Sequence, residues 1–263
     1  MGNKDTSVIL ELRNIKKEYL SGLNEKNIIF DNLNLKIYKN DFIMMIGPNG
    51  AGKSTLLNII SGKTSQNSGK IFLNNVDITN QREYERSKKI GKVFQNPQDG
   101  ICEGLTVLEN LVLFDNKGKN FNLHKAIKTD RLNYYKEYLQ ELGIGLENRM
   151  NIDVKKLSGG QKQLLAIKLA ILPEIDMILL DEPTASLDPT TSNNIMVAID
   201  KMIKENNLTA IMVTHDLNYA IKYGNRIVMI RDKKVKMDLS GDKKSKLTTE
   251  DIFELFIDIG DFE

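Results

Sequence analysis

Three short stretches carry residue types whose spacing points to phosphate chemistry. Gly47-Pro48-Asn49-Gly50-Ala51-Gly52-Lys53-Ser54 fits the pattern G-x-x-x-x-G-K-[ST], with Thr55 directly behind it. The glycines let backbone N–H groups curl around phosphates, and a helix starting at Ser54 adds its positive end. In this pattern Lys53 reaches the β- and γ-phosphates of a nucleoside triphosphate, and Ser54 ligates Mg2+. Ile178-Leu179-Leu180-Asp181-Glu182 is an apolar run ending in two carboxylates. Asp181 is placed to hold Mg2+, and Glu182 to orient or deprotonate an attacking water. Leu157-Ser158-Gly159-Gly160-Gln161 opens a second helix with small residues and a hydroxyl, which makes a second surface for phosphate. One γ-phosphate needs only one such loop. The second surface therefore points to ATP held by another copy of the chain, in a symmetric dimer with two ATP molecules at its interface.

The elements that must position these residues follow from hydropathy. Val8 to Leu12 and Leu33 to Ile37 alternate as half-exposed antiparallel strands do, whereas Phe42 to Ile46 is continuously apolar, as a buried parallel strand is. A helix is expected over about 54–60. Alternation returns from Gly69 to Leu73 and from Ile90 to Phe94. From 105 to 172 the period turns helical, with Tyr134, Tyr135, Tyr138, Leu139 and Leu142 on one stripe, ended by Gly143 and Gly145, and a helix from Gln163 to Leu172. Met177 to Leu180 reads as a buried strand, 193–203 as a helix, Thr209 to Val213 as a strand and Leu217 to Lys222 as a helix. Arg226 to Ile230 and Lys234 to Met237 form a hairpin about Asp232-Lys233. Thr248 caps a last helix with Asp251, whose face of Ile252, Leu255, Phe256 and Ile259 is expected on the core.

These elements belong to a chain of 263 residues, 41% hydrophobic and 27% charged, long enough for a large core. With 37 basic and 35 acidic residues the net charge is +2, so nothing marks nucleic acid as a partner. A single cysteine, Cys102, excludes an internal disulfide and reads as incidental; His124 reads as a surface residue. No run approaches the roughly 18 residues of a membrane span, and charges at Lys4, Asp5, Glu11 and Arg13 break any leader pattern. The chain is expected on the cytoplasmic side, bound peripherally to the membrane through a partner.

Taken together, the motifs resemble the nucleotide-binding subunit of the ABC transporter superfamily, in that family's order and across essentially the whole chain. The resemblance implies an α/β fold: a P-loop core over 1–104 and 173–240 with an antiparallel β subdomain, an inserted helical subdomain over 105–172, and a helical tail over 241–263. It implies ATP hydrolysis with ATP and Mg2+ bound, two chains closing head-to-tail, and an integral membrane permease as partner. Residue by residue, Gln95 resembles the glutamine that touches Mg2+ and the attacking water, and Ser186-Leu187-Asp188 the loop lining the dimer seam. His215 resembles the histidine that contacts the γ-phosphate, and Tyr19 the aromatic that stacks on adenine. Tyr19 lies further from the P-loop than usual, with Ser21 to Asn27 read as an extra hairpin turn. Ser158, Gly159, Gly160 and Gln161 would contact the nucleotide of the other copy. The permease groove is expected between 95–104 and 105–111, with Ile101 and Leu105 as apolar contacts.

A second tier of segments is similar to ATPases of bacterial uptake systems that pair a branched-chain-type permease with a substrate-binding lipoprotein, some of them serving aromatic amino acids. These are Ile90-Gly91-Lys92-Val93-Phe94-Gln95-Asn96-Pro97, Gly143-Ile144-Gly145-Leu146-Glu147-Asn148-Arg149, Tyr219-Ala220 with Gly224-Asn225-Arg226, and Leu247-Thr248-Thr249-Glu250-Asp251 with Glu254-Leu255-Phe256. The rival is an exporter or lipoprotein-release ATPase. A soluble ABC ATPase fits less well, since no coiled-coil insert and no second ATPase domain is present. Intact Lys53, Glu182 and His215 speak against a non-hydrolysing module, and no Asn-Lys-x-Asp follows for a GTPase.

Overall fold

The computed structural model describes residues 7–20, 26–117 and 129–257. Along the chain the elements are β1 (Val8–Leu20), β2 (Lys26–Tyr38), β3 (Phe42–Ile46), α1 (Lys53–Ser61), β4 (Ser68–Leu73), β5 (Val76–Asp77), α2 (Glu83–Arg86) and β6 (Ile90–Val93). They continue with α3 (Val107–Asp115), α4 (Thr129–Gln140), α5 (Gly159–Ile171), β7 (Met177–Asp181), α6 (Pro189–Glu205) and β8 (Thr209–Val213). The chain closes with α7 (Leu217–Lys222), β9 (Arg226–Arg231), β10 (Lys234–Ser240), α8 (Asp242–Ser245) and α9 (Thr249–Ile257). Two compact units result, 1–86 with 203–263, and 87–202. The second unit therefore takes in β6, β7 and most of α6 besides the helical stretch.

In the first unit, β2-β1-β4-β5 form an antiparallel sheet. Residues 8–12 and 33–37 belong to strands of 13 residues each, which pair from Val8↔Tyr38 to Leu20↔Lys26. Residues 21–25 of the supposed extra turn lie outside the described residues, but Tyr19↔Asn27 pairing brackets them. β3 runs parallel to both β8 and β9, and all five of its residues are buried, as its unbroken apolarity requires. The β9–β10 hairpin turns at Asp232-Lys233, both with positive φ (46° and 66°), the signature of a tight two-residue turn.

Polar clasps fix where β3 begins. The Asn225 side chain accepts from Phe42 N (2.9 Å) and donates to Asn40 O (2.8 Å). Arg226 donates to Asp41 (2.6 Å) and in a fork to Asp238 (2.7 and 2.5 Å). Burial pulls the Arg226 guanidinium down, yet its bonds to Asp238 and Asp41 hold its pKa above the ordinary value. The segment Gly224-Asn225-Arg226 thus sets the register of the strand that feeds the glycine loop. At the other end of α1, the buried Arg86 guanidinium donates to Ile59 O (2.7 Å), Ile60 O (3.0 Å), Thr79 O (2.9 Å) and Gln81 O (3.1 Å), closing the helix C-terminus.

In the second unit, β6 and β7 pair in parallel, Val93 opposite Leu180. A separate apolar core holds the helical part, with Val107, Leu111, Tyr135, Leu139, Leu146, Val154, Leu165 and Leu169 buried. Each such large side chain contributes roughly 1.5–3 kcal/mol by leaving water. α4 presents Tyr135 and Leu139 inward, as the spacing predicts, while Tyr134 stays partly exposed. Ile101 belongs to this core at 7% exposure. That corrects its expected role as an apolar docking contact, because its side chain is spent on the interior; Leu105 remains half-buried.

Thr248 caps α9 as expected, its hydroxyl accepting from Asp251 N (3.1 Å) while the Asp251 carboxylate accepts from Thr248 N (2.8 Å). Ile252 is fully buried; Leu255, Phe256 and Ile259 lie outside the side chains described, as does His124. Cys102 is exposed.

Candidate nucleotide site

The first unit holds the glycine loop at the carboxyl edge of its parallel strands, the usual ligand edge of an open α/β sheet. Gly47 leaves β3 with φ +149°, and a Cβ there would stand 2.2 Å from Ile230 O, so only glycine permits this approach to β9. Asn49 and Gly50 are exposed at the loop tip, Ala51 N bonds Pro48 O (3.2 Å), and Gly52 enters α1 as a left-handed N-cap. Gly52 offers no side-chain acceptor, and the first turn of α1 carries no acid. The positive helix end is therefore left uncompensated by side chains, which suits an incoming anion.

Lys53 is buried and its ammonium donates to Gly47 O (2.7 Å) and Pro48 O (3.0 Å). The loop thus wraps its own cation, with Ser54 exposed and Thr55 half-buried on the next turn. β8 ends at the same edge: Val213 sits opposite Met45, and Thr214 N bonds Met45 O (3.2 Å). His215 follows, exposed, between the buried Thr214 and Asp216. Asp216 caps α7 by accepting from Asn218 N (2.8 Å) and Tyr219 N (3.1 Å), and its own N–H bonds the Thr214 hydroxyl (3.0 Å). Those two neighbours hold the histidine backbone; sequence reading passed over them, although Asp before a short apolar helix is a legible cap signal. Tyr19, 43% exposed, stands at the end of β1.

The second unit brings together the remaining candidates. Gln95 and Glu182 each lie two residues past the paired Val93 and Leu180, so both emerge at one carboxyl edge with Asp181 half-buried between strand and loop. Glu182 has φ +47°, a left-handed conformation that costs a non-glycine residue about 1 kcal/mol or more and clusters at functional positions. Asn96 accepts from Gln98 N (3.1 Å), closing the turn that carries Gln95.

Ser158 is the N-cap of α5, which starts at Gly159 and so sooner than the expected Gln163. Its hydroxyl accepts from Gln161 N (3.3 Å), and the Gln161 side chain accepts from Ser158 N (3.1 Å), a reciprocal capping box. A hydroxyl that accepts here still has its own proton to donate outward. Ser158 and Gly159 are exposed. Gly160 is packed: a Cβ would meet Thr191 Cγ2 at 2.6 Å, so α5 sits close on α6. Asp188 caps α6 by accepting from Thr191 N (3.0 Å), and hydrogen bonds from the Thr191 hydroxyl and amide hold its carboxyl below the usual range.

Among the described residues no cluster of three His, Cys, Asp or Glu side chains could hold a metal ion unaided.

With this geometry in hand, comparison with known proteins is specific. Residues 30–185 match the ABC transporter family. The chain is 42% identical over 94% of its length, and 98% of the relative's, to a tyrosine transport ATP-binding protein of Clostridioides difficile (strain R20291). It is 34% identical over 93% of its length, and 94% of the relative's, to a phosphonates import ATP-binding protein of Halalkalibacterium halodurans. Among solved structures, it is similar to an ATP-binding cassette in a dimeric post-hydrolysis state bound to ADP and Pi, with a TM-score of 0.74, 32% identity, and coverage of 88% of this chain and 98% of that one. The ADP conformation of another ABC transporter cassette covers 97% of this chain and 100% of its own, with a TM-score of 0.78 and 28% identity.

The chain belongs to the ABC transporter family, as an ATP-binding subunit with the ABC ATPase fold. Such subunits bind nucleotide, hydrolyse ATP to power transport, and work as dimers with membrane permease components. Among the described residues no helix is long and apolar enough to cross a membrane.

Proposed function

We propose that this chain is the ATPase of a bacterial importer for an amino acid or similarly small solute, and that two copies act head-to-tail around two ATP molecules on the cytoplasmic face of the membrane. The observation that carries the dimer is the presence of two helix N-termini fit for phosphate in one chain: α1 behind Gly47 to Ser54, and α5 behind the exposed Ser158. A triphosphate occupies one on its own chain, so the other serves the second copy.

Lys53 and the loop amides of Gly47, Asn49, Gly50, Ala51, Gly52, Ser54 and Thr55 hold the β- and γ-phosphates. Tyr19 stacks on the base. Ser158, Gly159, Gly160 and Gln161 of the other copy close over the γ-phosphate, and Asp188 lines the seam. Glu182 accepts a proton from the attacking water and sets it in line, Gln95 orients the same water, and His215 stabilises charge on the γ-phosphate. Ser54, Gln95 and Asp181 would hold Mg2+, which supplies charge neutralisation on the phosphate oxygens. Loss of the γ-phosphate removes the group shared by the two surfaces, and the dimer opens. The segment 95–111 passes that motion to the permease.

The cargo reading rests on the relative named for tyrosine transport, matched over nearly its whole length, and on others named for choline transport and phosphonates import. An extracytoplasmic lipoprotein would deliver the solute, and no nucleic acid takes part.

The test is the Glu182→Gln variant, which should bind MgATP, hydrolyse it about 10²–10⁴-fold more slowly and accumulate as a dimer by light scattering. A variant that stays monomeric with saturating MgATP, both alone and with its permease, defeats the head-to-tail mechanism. Pull-down from native membranes decides the direction: a multi-span permease with a lipoprotein supports import, and a permease with a large extracytoplasmic domain and no binding protein overturns it.

A further inference from the structure

Lys17 is 8% exposed, unusual for a lysine, and no step above uses it. It lies two residues before Tyr19 on β1, beside a register irregularity between Lys17 and Glu18, and its side chain reaches the Tyr19 ring. Its ammonium stands 4.5 Å from the centroid of the Tyr19 ring and donates to Ser65 O (2.8 Å). Ser65 lies in the segment that leaves α1, the helix behind the glycine loop. Two further bonds fasten the same stretch of β1 there: Asn67 N to Lys16 O (2.8 Å) and Glu18 N to the Asn67 side chain (2.9 Å). One ring face of Tyr19 is thus covered by a cation that is itself anchored to the connection between α1 and β4, while the residue remains 43% exposed.

We infer that Lys17 is a positioning residue for nucleotide recognition: it clamps Tyr19 from behind and aims the free ring face at the purine. This rests on the reading of Tyr19 as the base-stacking aromatic. A phenol ring on a surface strand turns freely about its side-chain bonds, and stacking a base on it costs that freedom. An ammonium over the back of the ring is attracted to its negative face, holds one orientation, and draws electron density from the face that meets the base. The anchor to Ser65 ties that orientation to the segment that follows α1, the helix whose opposite end faces the glycine loop.

The experiment titrates the full-length chain calorimetrically with MgADP and with magnesium pyrophosphate, which keeps phosphates and lacks the base. Lys17→Gln retains a donor for Ser65 O and removes the charge; Lys17→Arg keeps both. Lys17→Gln should weaken MgADP roughly three- to fivefold and leave pyrophosphate unchanged, with Lys17→Arg restoring the affinity. Tyr19→Ala should weaken MgADP about fivefold or more, and Lys17→Gln should then add nothing. If Tyr19→Ala weakens MgADP and Lys17→Gln does not, the clamp is refuted while the stacking stands. If Tyr19→Ala leaves MgADP unchanged, stacking fails and the clamp fails with it. Equal weakening of both ligands by Lys17→Gln, with a lowered melting temperature, makes Lys17 merely structural and overturns the inference.

Discussion

Ser158 is the N-cap of α5 and, in the proposed dimer, a contact to the other copy's γ-phosphate, and one pair of substitutions separates the two roles. Ser158→Ala removes the acceptor of Gln161 N and the outward hydroxyl proton together. Losing such a cap costs about 1 kcal/mol, which in a chain of this size lowers the melting temperature by about 2–4 °C. Ser158→Asp keeps an acceptor for the same amide and places a negative charge at the positive end of α5, worth about 0.3–1 kcal/mol. The nucleotide-free melting order should therefore be Asp at or above serine, and alanine below.

At the interface the order reverses. Alanine forfeits a hydrogen bond to a charged group, about 1.5–3 kcal/mol per site. Aspartate sets a carboxylate against the γ-phosphate; at about 4 Å and an effective dielectric near 20, two like charges cost about 4 kcal/mol per site, roughly a thousandfold each and about a millionfold in the affinity of a dimer with two such sites. The assay is light scattering with MgATP in the Glu182→Gln background, beside melting curves without nucleotide. A Ser158→Asp chain that dimerises as readily as its parent refutes the phosphate contact. One that melts as low as Ser158→Ala refutes the capping account.

Two further perturbations test the frame around the site. Arg86→Met leaves the four carbonyls of Ile59, Ile60, Thr79 and Gln81 without their buried partner, and should cost about 3–5 kcal/mol in urea unfolding, with Arg86→Lys recovering only part because it lacks the planar fork. Burial, with a 2.7 Å hydrogen bond to Asp115, pushes the Tyr135 hydroxyl up to about 12 from 10.0. The unfolded chain then ionises first, so stability present below pH 10 drains by an amount on the order of 1–2 kcal/mol as pH rises to 12. Tyr135→Phe should be less stable at pH 8 and show a shallower fall between pH 9 and 11; an identical slope would contradict the assignment.

The chemistry was legible because it is written locally. The glycine loop, the strand ending in Asp181-Glu182 and the run Leu157 to Gln161 are each a few consecutive residues, so the placement of their amides and side chains follows from local backbone geometry. Strand and helix identities followed for the same reason, from periods of two and 3.6.

The sequence by itself determined which phosphate-binding elements exist and in what order they come. Only the tertiary structure decided that Ile101 is core rather than docking surface, that Asn225 and Arg226 clasp the start of β3, that Arg86 closes α1 across an interval of some 25 residues, and that Lys17 lies under Tyr19. It likewise decided the left-handed turn at Glu182 and the tight approach of Gly160 to α6. Each of these depends on partners distant along the chain or on which face of an element is already covered. Packing, which has no period in the sequence, settles both.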